Sequence, residues 1–246
     1  DLLNRIINAV ETLNSYNSSD PNCLNKIVSI IHVGGVTDAN LAPGTSRENY
    51  RNAVSNLISS LRTGISIAKP DTPVLLVDLP DSYVNINTLY APDIRSAIRD
   101  IRNYVSYTEV IPHPNHTYDG INPTRKTANI LKPKIVAALP YALGNNLLTT
   151  PSKVTNLAVS SIGCDTAKIT WTQPLGHIDY YLVKYQRTDT GGILITRTYS
   201  PSLGVYNISY DIPELTPDAV YNVYVQAVNN VAGLTAEAST SVTINT

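Results

Sequence analysis

Leu215-Thr216-Pro217-Asp218-Ala219-Val220-Tyr221 runs into Val223-Tyr224-Val225-Gln226-Ala227-Val228-Asn229. The first half is a proline turn; the second alternates side chains with a period of two, as a strand half-covered by a core does. Upstream lie Val154-Thr155-Asn156-Leu157, Ile169-Thr170-Trp171 and Tyr180-Tyr181-Leu182-Val183-Lys184-Tyr185. From about Pro151, short β runs rich in Thr, Val and Tyr are separated by turn residues every eight to twelve positions. That spacing predicts an all-β, immunoglobulin-like sandwich. Its tyrosines alternate with aliphatic residues and are expected in its core and at its edges.

Before Pro151 the pattern is different. Leu2, Leu3, Ile6, Ile7, Val10 and Leu13 fall on one helical face. Ile27-Val28-Ser29-Ile30-Ile31-His32-Val33 is a short, continuous, β-branched run, which predicts a parallel strand covered on both faces. A helix is expected over 46–68, with Thr45 or Ser46 as N-cap and Glu48 in its first turn. Strand 74–77, helix 93–105, strand 108–111 and helix 124–139 follow, with Pro133 expected to kink or shorten the last. Strands alternating with helices imply right-handed crossovers and an α/β domain with a parallel sheet and flanking helices. Sites in such sheets form at the C-terminal strand ends, here 34–38, 78–81 and 113–122. The expected organisation is an α/β domain over 1–143, a linker over 144–152 and a sandwich over 153–246.

Composition narrows the function. The 246 residues carry a formal net charge of −1 and no run of like charge, so nothing favours an electrostatic grip on nucleic acid or anionic membrane. No apolar run approaches the roughly 18 residues of a membrane span, and the N-terminal residues lack a signal-peptide pattern; a soluble chain without membrane insertion is expected. Cys23 and Cys164 fall in different domains and are read as free thiols. Asn17-Ser18-Ser19, Asn115-His116-Thr117 and Asn207-Ile208-Ser209 match the glycosylation acceptor pattern without deciding a compartment. Met and Phe are absent while Tyr numbers 16. A packed core has no reason to refuse Phe and accept Tyr, whose hydroxyl needs a partner. That imbalance suggests some Tyr positions are Phe in the natural protein, and tryptic peptide masses test it.

Two resemblances are carried by motifs. Trp171, Leu215-x-Pro217-x-x-x-Tyr221 and Ala227-x-Asn229 stand in the order and spacing of a fibronectin type III domain. The resemblance implies Trp171 as the core indole and Tyr221 as the tyrosine corner. No Arg-Gly-Asp occurs, so integrin-type adhesion has no support.

Residues 1–143 resemble the later two-thirds of an SGNH (GDSL-like) hydrolase, with a SGNH/flavodoxin-like sheet. Asp119-Gly120-Ile121-Asn122-Pro123 stands where that family carries Asp-x-x-His, and Gly35-Val36-Thr37-Asp38 where it carries Gly-x-Asn-Asp. The resemblance makes Asp119 the orienting carboxylate and Gly35 an oxyanion-hole residue. Thr37 occupies the place of the oxyanion asparagine, and Asn122 that of the histidine base. An amide has no proton-accepting pKa near neutrality, so Asn122 cannot act as a base. Removing one oxyanion donor typically costs about 3 kcal/mol of barrier. No Gly-Asp-Ser occurs, and the strand that should bear the nucleophile is expected upstream of Asp1.

His113, His116 and Asp119 are a sparse constellation best read as a polar loop; no metal or cofactor is expected. His32 reads as a core residue, and Asp78 and Asp81 as caps of the turn at Pro80. The expectation is a degenerate, non-catalytic module with a fibronectin type III spacer. It would act structurally or adhesively in an extracellular, cell-surface or virion assembly, with a surface glycan or other subunits as partners. The alternative is a carbohydrate esterase whose serine lies upstream.

Overall fold

The computed structural model describes residues 2–17, 26–35, 46–86, 89–114 and 125–246. The chain divides into two compact units, Asp1–Asn145 and Asn146–Thr246.

The first unit holds α1 (Leu2–Asn17), β1 (Ile30–Val33), α2 (Arg47–Gly64), β2 (Val74–Val77), α3 (Asp81–Ile86), α4 (Ala91–Asp100), β3 (Thr108–Ile111) and α5 (Arg125–Gly144). Its strands form a parallel sheet in the order β1-β2-β3, Ile30 facing Val74 and Val74 facing Thr108. Every residue of β2 and β3 is buried, so both sheet faces are covered there. Helices α2 and α4 pack on each other, and α5 packs on β3 and β2. Ser46 caps α2, its hydroxyl accepting the Asn49 N–H at 3.2 Å, as the sequence predicts. Arg62, in the last turn of α2, donates to the carbonyls of Thr72, Ser106 and Tyr107 at 3.0–3.1 Å and so ties together the entries to β2 and β3. Burial lowers the Arg62 pKa.

Five expectations change. The helix expected over 46–68 ends at Gly64, where Ile65 turns to extended backbone. The strand expected over 27–33 is confined to Ile30–Val33 and is not covered on both faces: Ile31 is 46% and Val33 58% exposed. The reason is its place at the end of the sheet. His32 is half-buried rather than a core residue, for the same reason. The helix expected over 93–105 ends at Asp100 and tightens into a 3-10 turn, Ile101–Asn103. Pro133 does not shorten the last helix, which runs through Pro133 and Pro140 to Gly144; buried Leu131, Ala138 and Ala142 hold it on both sides of the missing N–H groups. The short α3 was not visible as a periodic pattern, because six residues make too few turns.

The second unit is a two-sheet sandwich. One sheet has the order β4 (Thr155–Ile162), β5 (Ala167–Thr172), β8 (Asn207–Ile212). The other is β10 (Leu234–Thr235), β9 (Val220–Asn229), β6 (Tyr180–Arg187), β7 (Leu194–Tyr199), with β11 (Val242–Asn245) also on β9. Buried residues alternate along β5, β6 and β8 and meet in one core. There the Trp171 ring meets Tyr181 and Tyr199 edge-on, at centroid distances of 5.2 and 6.1 Å. The Tyr221 hydroxyl accepts the Thr216 N–H at 3.0 Å, closing the tyrosine corner.

The start of this unit is pinned to the sandwich. The Asn229 side-chain amide donates to the carbonyls of Leu147 and Thr149, both at 3.0 Å. The Ser152 N–H reaches Leu175 O at 2.7 Å. Gly176, at φ +126°, lies so close to Pro151 that a Cβ there would stand 2.7 Å from its Cα. Cys164 is free and exposed; Cys23 lies outside the described residues.

Candidate functional site

Parallel strands aim their C-terminal ends at one rim, and β2 delivers Asp78 to it directly after Val77. The Asp78 side chain is 2% exposed. Its Oδ1 accepts the Leu79 N–H at 2.9 Å. Its Oδ2 accepts hydrogen bonds from Arg95 Nε at 3.1 Å and Arg99 Nε at 2.9 Å, and Arg99 Nη2 lies 2.7 Å from it in an ion-pair contact. Arg95 also pairs with Asp81 in the first turn of α3. Burial works to lower the Arg95 pKa, but Asp78 and Asp81 outweigh it and the net shift is upward. These charge-assisted contacts tie the end of β2 to one face of α4 and position α4 against the rim. Asp78 therefore does more than cap a turn. The sequence signal was Arg95 and Arg99, four residues apart on α4 and so on one helix face.

Gly35 leaves β1 at the same rim. Its φ is +97°, and a Cβ would meet Ile94 Cγ2 at 2.9 Å, the Tyr50 hydroxyl at 3.1 Å and Ile98 Cδ1 at 3.3 Å. Only glycine fits both the backbone and the space. Of the four residues singled out for catalysis, Gly35 alone is described; Thr37, Asp119 and Asn122 lie outside the described residues, as does His116. His113 Nδ1 lies 2.6 Å from Pro114 O, and Lys134 donates to Pro112 O at 3.3 Å, both just past β3. Among the described residues no three His, Cys, Asp or Glu side chains are grouped to hold a metal, and no helix is long and apolar enough to cross a membrane.

A cavity of about 320 Å³ in the first unit is lined by Ser55, Ser59, Arg62, Thr63, Pro70 and Val105. It sits at the opposite end of the strands, where Arg62 already spends its donors on three carbonyls.

The two sheets, the buried indole and the tyrosine corner define the second unit as an immunoglobulin-like sandwich module. Residues 152–244 match the fibronectin type III domain family, and the unit is a fibronectin type III domain. Similar solved structures include the fn3 domain of human collagen alpha-1(XX) chain (28% identity over 39% of this chain and 83% of that one, TM-score 0.32) and a structure described as "Myokine structure" (23%, 39% and 97%, 0.32). The FN5 domain of Drosophila Lar is a third (16%, 39% and 96%, 0.33). No curated protein matches the chain. The first unit is a parallel three-stranded sheet with helices, an α/β arrangement.

Proposed function

We propose that the chain is a non-catalytic, SGNH-like α/β module carried on a fibronectin type III spacer. It serves as a structural or adhesive component of an extracellular, cell-surface or virion assembly, in contact with a surface glycan or with other subunits. The observation that carries this reading is Asn122, which stands three residues after Asp119 where an SGNH enzyme needs an imidazole. An amide cannot take the proton of a serine at neutral pH. Thr37 in the oxyanion position supports it, and so does Asp78, which at the rim is engaged by Arg95, Arg99 and the Leu79 N–H.

Gly35 keeps a second reading in view, a carbohydrate esterase with an upstream serine, Asp119 as orienter and donors near Gly35 and Thr37. The strand-end rim with a sterically required glycine is where an oxyanion hole would form. One experiment separates the two. The protein isolated from its source, carrying whatever segment precedes Asp1, is incubated with p-nitrophenyl acetate and with acetylated polysaccharides, and retention on the same polysaccharides is measured in parallel. Retention without acetate release above that of an Asp119→Ala variant is expected. Acetate release that disappears in Asp119→Ala would overturn the non-catalytic reading.

A further inference from the structure

The cavity of about 320 Å³ in the first unit takes most of its wall from α2. Ser55, Ser59 and Thr63 follow at i, i+4 and i+8, so three hydroxyls line one helix face in steps of about 6 Å. Ser55 and Thr63 give their protons to the carbonyls of Arg51 and Ser59, at 2.8 and 2.9 Å, which leaves their oxygens as acceptors. The exposed Ser59 hydroxyl can both donate and accept. Pro70 and Val105 supply apolar wall.

Arg62 lines the same cavity. Its bonds to the carbonyls of Thr72, Ser106 and Tyr107 use Nε and Nη2; the two Nη1 protons have no partner among the described residues. All three acceptors are neutral. Burial holds the Arg62 pKa down even though the Asp71 carboxylate works to raise it, so the guanidinium lacks a full counter-ion.

An occupant matched to this wall brings a negative charge for Nη1, hydroxyl protons for the oxygens of Ser55 and Thr63, and C–H surface for Pro70 and Val105. Phosphate and sulfate offer no C–H surface. A neutral sugar leaves the guanidinium uncompensated, and an apolar molecule leaves the hydroxyls unmatched as well. We infer that the cavity binds a carboxylated sugar ring, with the carboxylate on Arg62 Nη1 and the ring hydroxyls along the Ser55-Ser59-Thr63 ladder. The volume is at the lower end of the roughly 300–1,000 Å³ of small-molecule sites, which suits one ring rather than an extended chain. That the ring belongs to a surface glycan rests on the functional reading above. The site lies at the opposite end of the strands from Gly35 and Asp78 and needs no chemistry at that rim.

The test follows backbone amide and Arg Nε–H chemical shifts of the 246-residue chain during titration with D-glucuronate, D-glucuronamide and acetate. Saturable shifts are expected at Ser59, Arg62 and Thr63 with glucuronate. Glucuronamide keeps the ring without the charge, and acetate keeps the charge without the ring. Each should bind at least about tenfold more weakly, as the loss of a charged hydrogen bond or of the ring contacts requires. Ser59→Leu fills the cavity without touching the Arg62 bonds to the three carbonyls; it should remove the shifts and leave the urea transition of the first unit unchanged. Three results would overturn the proposal: no shift on α2 with glucuronate; equal binding of glucuronate and either analogue; or shifts that persist in Ser59→Leu, which would place the sugar elsewhere. An oligosaccharide ending in glucuronate separates the sources: binding as tight as that of the monosaccharide assigns the ring to a glycan, and exclusion assigns it to a free sugar acid. Failure of the functional reading shows separately, as acetate release or as loss of retention on polysaccharides, and neither is read from these shifts.

Discussion

The buried Asp78 carboxylate takes a hydrogen bond from Arg99 Nε at 2.9 Å and an ion-pair contact with Arg99 Nη2 at 2.7 Å, and so fixes the third turn of α4 to the end of β2. Removing one partner of a buried pair costs about 3–5 kcal/mol. The Arg99 side chain is 43% exposed and can turn to water, which places Asp78→Ala near about 3 kcal/mol. Arg99→Ala should cost about 1 kcal/mol, because Asp78 keeps Arg95 and the Leu79 N–H. Urea unfolding followed by the helical circular dichroism signal checks both, since the helices lie in the first unit.

Gly35→Ala should destabilise the first unit by about 2 kcal/mol or more. It adds a side chain at positive φ, which costs about 1 kcal/mol, and forces Ile94, Tyr50 and Ile98 to give way. The same urea experiment reads the effect. The fluorescence of Trp171, the chain's one tryptophan and a core residue of the second unit, should not move.

Tyr221→Phe removes the acceptor of the Thr216 N–H while leaving the ring in place. A loss of about 1 kcal/mol is expected, seen as an earlier Trp171 fluorescence transition in urea. An unchanged transition would mean that Thr216 finds water instead.

The Glu11 carboxylate is held below the usual glutamate range by the Ser66 backbone N–H and then by the Ser66 hydroxyl. A lowered folded pKa means the contribution is present above the ordinary glutamate pKa and is lost as pH falls through the folded value. Exchange at the Ser66 amide should therefore speed up, relative to its neighbours, in acid below the ordinary glutamate range. Glu11→Gln should abolish that acid-dependent step.

The sandwich was legible from end to end, because its signals are local or of fixed spacing. Period-two alternation, Trp171 and Leu215-x-Pro217-x-x-x-Tyr221 each specify a strand, a core position or a corner without reference to distant chain. In the first unit the βαβ alternation was legible for the same reason, and Ser46 as a cap followed from residue type. The site was less so. Asp78 looked like a turn cap because its partners, Arg95 and Arg99, lie 17 and 21 residues away, and no local period links a strand end to a helix face.

The sequence by itself determined the alternation of the longer helices and strands in the first unit, that the chain changes from α/β to all-β near Pro151, and that Asn122 cannot act as a base. Those properties follow from side-chain chemistry and near-neighbour periodicity. The tertiary structure decided that β1 sits at the open end of its sheet, that α5 continues through two prolines, that Gly35 is wedged against α2 and α4, and that Asn229 pins residues 147 and 149 to the sandwich. Each depends on which elements become neighbours in space, and burial, pairing and steric room exist only once those neighbours are in place.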